Sequence, residues 1–286
     1  YTISYANGSL TVSPASLTVA ANNAGKTYDG LAYSGGNGVS YTGFVNSETS
    51  AVLGGTLAYS GSGQGAINAG SYSIIPSGLT SGNYDISYTN GTLAVDKASL
   101  SITANNASKI YGQTTSFAGS EFTNSGLQNS ETIGSVSLAS AGAAATAGVV
   151  GSPYSITPSN ATGGTFDVGN YTVAYNNGQL TVTPKTLTIT GAVAQNKVYN
   201  DSKAYSGTAY TGGNGVSYNS FVNDETAAVL GGSLNYSGSS QGALNTGSYV
   251  ITPGGLTSGN YTLHFVDGTL TINPAAAPST ASSTTG

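Results

Sequence analysis

Three residue types that together can build a covalent cross-link recur at matching positions along this 286-residue chain. They are Lys26, Glu48 and Asn83, then Lys109, Glu131 and Asn170, then Lys197, Glu225 and Asn260. A buried neutral lysine is a nucleophile, and a protonated carboxyl beside it polarises an amide. Each set therefore has the types needed to join Lys to Asn through an isopeptide bond with loss of ammonia. The same types also suit a plainer arrangement, a Lys–Glu salt bridge with the Asn satisfying backbone groups of a turn. The Gly-Asn-Tyr context of all three asparagines favours that second reading.

Other chemistry finds little support. His264 is the sole histidine, and the matching positions of the other repeats hold Ser4, Ser87 and Ala174, so no second imidazole could join it on a metal. Without cysteine, and with no serine paired to a base, nucleophilic catalysis has no constellation and an enzyme is not expected. No tightly bound cofactor is expected either. The eleven acids are scattered, with Asp224-Glu225 the one adjacent pair, whereas Ca²⁺ wants six to eight oxygens and several carboxylates. Weak Ca²⁺ binding near Asp96, helped by turn carbonyls, stays open. Among the twenty tyrosines most alternate with small polar residues as core residues would, but Tyr33, Tyr205 and Tyr210 fall in loop-like stretches and are the candidates to face a ligand such as a sugar ring.

The elements that position these residues repeat as well. A ten-residue segment, from Tyr1 (YTISYANGSL), Tyr84 (YDISYTNGTL), Tyr171 (YTVAYNNGQL) and Tyr261 (YTLHFVDGTL), recurs at intervals of 83, 87 and 90 residues, which means an array of similar small domains. Its Asn-Gly or Asp-Gly centre predicts a β-hairpin with a type I′ turn. Each repeat opens on an alternating strand (Leu17-Thr-Val-Ala, Leu100-Ser-Ile-Thr, Leu187-Thr-Ile-Thr) and continues into Lys26-Thr-Tyr28, Lys109-Ile-Tyr111 or Lys197-Val-Tyr199. A Phe/Leu-x-Asn-x-Glu-Thr block follows, where Asn46, Asn129 and Asn223 are expected to cap a short helical turn. A Tyr-x-Ile-x-Pro block (Pro76, Pro158, Pro253) predicts a strand that ends or lies at an edge, because proline cannot donate to a ladder.

These boundaries divide the chain into residues 1–14, the closing hairpin of a preceding repeat, then repeats at 15–98, 99–185 and 186–274, and a low-complexity tail at 275–286. An all-β tandem array is the expected fold, each domain a β-sandwich or, alternatively, a β-grasp-like sheet with one short helical turn. The linkers are only four residues long and two contain proline, so the array should extend as a rod. Because residue 1 already lies inside a hairpin, more repeats are expected upstream.

Composition agrees. Glycine, at 42 residues, is about twice average usage. Only six lysines oppose eleven acids, with no arginine, and a net charge of −5 leaves no basic patch for nucleic acid. No run of about 18 apolar residues is present, so this segment is not expected to enter a membrane.

Lys-x-Tyr-Asp-Gly in the first repeat, Lys-x-Tyr-Gly-Gln in the second, the Asn-x-Glu-Thr block and the Gly-Asn-Tyr…Asn-Gly-x-Leu segment resemble the MBG and YDG-type repeat domains of very large bacterial surface adhesins, over residues 1–276. The third repeat departs from that pattern, having Asn200-Asp201 where the first has Asp29-Gly30. Many such proteins are similar to filamentous haemagglutinin-like exoproteins exported by two-partner secretion. The resemblance implies an extracellular, cell-surface location and a structural stalk role in adhesion or biofilm formation. Two alternatives stand beside it, a repeated carbohydrate- or matrix-binding module and a self-associating filament. The expected partners are neighbouring repeats, with polysaccharide or matrix components as a further candidate.

Overall fold

The computed structural model describes residues 1–192, 195–198 and 209–274, the stretch 195–198 as backbone only. Tyr205, the side chain of Lys197 and the tail 275–286 lie outside the described residues. The first repeat contains seven strands: β1 (Ala15–Ala21), β2 (Ala24–Thr27), β3 (Val39–Thr42), β4 (Gly54–Ser60), β5 (Gly70–Thr80), β6 (Tyr84–Thr89) and β7 (Gly91–Asp96). The second follows with β8 (Ala98–Ala104), β9 (Ala107–Ile110), β10 (Phe122–Ser125), β11 (Ile133–Ala139), β12 (Tyr154–Gly164), β13 (Tyr171–Asn176) and β14 (Gly178–Thr183). The third has β15 (Lys185–Gly191), β16 (Gln195–Val198), β17 (Val216–Asn219), β18 (Gly231–Ser237), β19 (Gly247–Thr257), β20 (Tyr261–Val266) and β21 (Gly268–Asn273).

Every repeat builds the same pair of sheets, one of order β3-β1-β6 and one of order β2-β7-β5-β4 in the first repeat's labels. The alternation seen in the sequence buries one face: Leu17 and Val19 of β1 are inaccessible, as are Ile74 of β5 and Leu93 of β7. Helix is confined to 3-10 turns of three residues (Ser50–Val52, Ala141–Ala143, Val168–Asn170 and Ala227–Val229), so no element serves as the helix of a β-grasp-like sheet among the described residues.

The expected closing hairpin is corrected. β6 pairs in parallel with β1, while β7 pairs in parallel with β2 and antiparallel with β5. The two strands thus belong to different sheets, and neither Asn90 nor Gly91 has a positive φ. What the segment does is cross. The paths β1–β2 and β6–β7 run side by side from the three-stranded to the four-stranded sheet, and at the crossing Gly91 lies against Ala21 and Asn22. A Cβ on Gly91 would sit 2.8 Å from both of their carbonyl oxygens, and on Gly178 it would sit 2.5 Å from that of Ala104. Glycine is needed here for close backbone approach rather than for a left-handed turn. The ladder breaks at this point, and Asn23 or Asn106 accepts the orphaned N–H of Thr92 (2.9 Å) or Gln179 (2.8 Å) through its Oδ1.

The type I′ geometry lies elsewhere. Asn46 and Ser47 both have positive φ and are closed by Glu48 N–H donating to Val45 O at 3.0 Å; Asn129-Ser130 and Asn223-Asp224 repeat the arrangement. The expected asparagine helix caps are therefore corrected too: asparagine tolerates left-handed backbone and sits in the turn, while Thr49 and Thr226 cap the 3-10 turns that follow. Pro76 lies inside β5 rather than at its end. Its missing donor does no harm, because the pairing of β5 with β7 stops at Ile74. Residues 1–14 form no strand, and Tyr1, Ile3, Tyr5, Leu10 and Val12 are exposed. Their counterparts in β6 and β7 pair with strands equivalent to β1, β2 and β5, which do not lie beside residues 1–14.

Contacts divide the chain into two compact units that do not coincide with the repeats. One comprises residues 1–103, 119–137 and 158–176, the other 104–118, 138–157 and 177–286.

Candidate functional site: paired tyrosines on a glutamate

A single residue outside the strands connects each repeat to the next, Lys97 between β7 and β8 and Pro184 between β14 and β15. Around Lys97, within the first unit, the end of repeat one meets the start of repeat two through a single carboxylate. Tyr28 O–H donates to Glu131 Oε1 at 2.5 Å, and Tyr171 O–H donates to Oε2. Around Pro184, within the second unit, Tyr111 O–H donates to Glu225 Oε1 and Tyr261 O–H to Oε2, both at 2.5 Å. Each phenol pair also meets edge to face, with ring centroids 5.4 Å apart for Tyr28–Tyr171 and 5.5 Å for Tyr111–Tyr261.

The local sequence explains how each part is placed. The type I′ turn aims its Glu inward, and the N–H of the residue three before it, Gln128 or Val222, donates to the hydroxyl of Tyr171 or Tyr261. The incoming Tyr28 or Tyr111 extends the parallel ladder by donating its N–H to Asp96 O (2.7 Å) or Thr183 O (2.9 Å). The chain must then turn away tightly. Gly30 has φ 73°, and a Cβ there would lie 2.5 Å from Asn129 Cβ; Gly112 has φ 88°, and a Cβ would lie 2.5 Å from Val222 Cγ2. The glycine of the Tyr-Asp-Gly and Tyr-Gly signatures thus serves the joint. Asparagines add further bonds. Asn170 Oδ1 accepts from Ala69 N–H at 2.8 Å, and Asn260 Oδ1 accepts from Val149 N–H at 2.9 Å. The turn asparagines Asn129 and Asn223 donate through Nδ2 to Gly30 O and Ala145 O, both at 3.3 Å.

Burial, followed by the bond to the glutamate, pushes Tyr28, Tyr171 and Tyr261 up to about 12 and raises Tyr111 as well. Buried phenols bonded to a carboxylate hold their protons because ionising them would place two negative charges together in a poorly solvated site.

The first two Lys, Glu and Asn sets do not assemble as clusters. Lys26 Nζ donates to Asp29 Oδ1 and Leu31 O, both at 2.7 Å, and its ammonium holds the Asp29 carboxyl below the usual range. Lys109, only 6% exposed, donates to the carbonyls of Gln113 and Ala144, and burial pushes its ammonium down. In both repeats lysine organises the loop behind the tyrosine, while Glu48, Glu131 and Glu225 bond tyrosines. In the first two repeats the expected Lys–Glu bridge is replaced by bonds from Lys to nearby carbonyls and, for Lys26, to Asp29, and by Glu–phenol bonding, since the strand that carries Lys delivers the tyrosine two residues on. For the third set, Glu225 and Asn260 lie in the joint, and the Lys197 side chain lies outside the described residues.

Of the candidate ligand-facing rings, Tyr33 is half-buried with its backbone bonded to Ala66 and Gly65. Tyr210 is corrected: it is 7% exposed and packs with Ile251, Leu270 and Ile272, because its segment folds onto the third repeat's four-stranded sheet. His264 is exposed on β20. Among the described residues no group of three or more His, Cys, Asp or Glu could hold a metal ion, and no helix is long and apolar enough to cross a membrane. The joint tyrosines were readable only as repeated core positions. The signal that pairs them with Glu is that Lys-x-Tyr, Asn-x-Glu-Thr and Gly-Asn-Tyr recur together in every repeat.

The search of curated proteins gave no match. Among solved structures, Drosophila N-cadherin EC1-4 aligns at 10% identity over 92% of this chain and 69% of that one with a TM-score of 0.21. The N-terminal four Ig domains of Dscam1 isoform 7.44 align at 9% identity over 93% and 73% with a TM-score of 0.20. Neither likeness carries weight at such scores. The sequence profile of the MBG domain (YGX type) matches three times, at residues 17–94, 100–181 and 187–271. With three tandem matches spanning most of its length, this chain belongs to the MBG domain family of YGX type.

Proposed function

We propose that this chain is a structural stalk segment of an exported bacterial surface adhesin, holding a binding region away from the cell for adhesion or biofilm formation. MBG repeats are at home in secreted, adhesin-like repeat proteins, which supports an extracellular setting. The observation that carries the stalk reading is the joint. A one-residue connection, two phenol–carboxylate bonds, two Asn–backbone bonds and an edge-to-face tyrosine pair together suit two repeats that must keep their mutual orientation under load. Its work is to stay folded, and its partners are the neighbouring repeats. The reading as a carbohydrate module is not adopted, since Tyr210 is buried. Small-angle scattering tests the proposal: an elongated distance distribution supports it, and that of a compact globule overturns it.

A further inference from the structure

The first repeat carries a third copy of the joint with one side empty. Tyr84 O–H donates to Glu48 Oε2 at 2.5 Å and accepts from Val45 N–H at 3.1 Å, as Tyr171 and Tyr261 do in their repeats. Glu48 Oε1, however, meets no donor among the described residues, and the exposed Asn83 amide has none of the bonds made by Asn170 and Asn260. Beside them lies a cavity of about 350 Å³ lined by Val12, Ser13, Asn46, Glu48, Asn83 and Tyr84, among others. Ser13 matches Asp96 and Thr183, whose carbonyls receive the N–H of the incoming tyrosine in the two filled joints. Leu10 and Val12, the counterparts of the fully buried Leu93 and nearly buried Val95, are exposed alongside.

We propose that this cavity is a docking site for the tyrosine-bearing end of another MBG repeat, with residues 1–14 serving as that repeat's last two strands. The incoming phenol donates to Glu48 Oε1 and packs edge to face on Tyr84, its backbone N–H donates to Ser13 O, and a loop N–H donates to Asn83 Oδ1. The partner needs glycine one or two residues after its tyrosine, because a Cβ at Gly30 or Gly112 would collide in the filled joints. The third repeat, with Tyr199-Asn200-Asp201, lacks that glycine, which argues against a second copy of this chain docking head to tail.

The inference rests on the stalk reading for the existence of a neighbouring repeat. It is tested by placing residues 15–83 of this chain directly before Tyr1 of the intact chain, so that residues 1–14 complete the added domain. Hydrogen exchange at Val45 and Glu48 should then slow by about tenfold or more, as a bond to a charged acceptor warrants. Tyr28→Phe in the added copy alone should abolish that slowing while the added core stays protected. Unchanged exchange beside a folded added repeat, an added repeat that cannot fold on residues 1–14, or slowing that survives Tyr28→Phe would each overturn the docking site. An elongated scattering curve from the same chain would leave the stalk reading standing even then.

Discussion

At the residue scale, two glutamates do most of the joining. Each has both carboxylate oxygens occupied by phenols, one from its own repeat and one from the repeat before. Tyr28→Phe keeps the ring contact and removes one charge-assisted bond, so chemical denaturation should show a loss of about 1.5–3 kcal/mol. Glu131→Ala leaves two phenols without an acceptor and should cost more. In a double-mutant cycle the pair should couple by at least about 1 kcal/mol, whereas additive effects would show that the bond does not bind the repeats. The same contacts set a pH dependence. Tyr28, Tyr171 and Tyr261 titrate near 12 in the folded chain and near 10 when unfolded. Because the raised values favour the protonated form, their stabilisation is complete below about pH 10 and is lost as pH rises from about 10 to about 12. Thermal unfolding followed with tyrosinate absorbance should show that fall, with these phenols ionising later than the exposed ones.

At the element scale, the crossing strands decide the fold, and there the sequence misled. Asn-Gly between two alternating runs is a strong local signal for a hairpin, yet β6 finds its partner in β1, with Tyr84 opposite Ala15, and β7 finds β2. Parallel pairing between residues about 69 apart leaves no local trace, because period-two burial looks the same whichever strand lies alongside. The positions of the strands and their buried faces were legible from alternation. The Asn-x-Glu turn was legible as a turn but not as left-handed backbone, since asparagine serves helix caps and αL positions alike. Lys, Glu and Asn look like one set in the sequence because they recur once per repeat, while their partners come partly from neighbouring repeats and from backbone carbonyls that sequence cannot show. The crossing makes its own prediction. Gly178→Ala should destabilise by about 1–3 kcal/mol, since the new Cβ meets backbone that cannot withdraw. Asn90→Ala, in contrast, should change stability by no more than about 0.5 kcal/mol, because Asn90 is exposed and does not need positive φ. A large loss at Asn90 would restore the I′ hairpin.

At the scale of the whole molecule, three MBG repeats are joined through single residues, and the division into compact units falls inside the second repeat rather than between repeats. Each unit therefore contains one complete joint with both of its tyrosines. An array of repeats built this way should resist separation of its repeats as well as unfolding within them. Single-molecule pulling on the chain tethered at both termini tests that most directly. Discrete unfolding events are expected, with the first at a lower force in the Tyr28→Phe/Tyr111→Phe variant than in the wild type. Traces that are the same for both, or wild-type extension without discrete events, would contradict a load-bearing role for the joints.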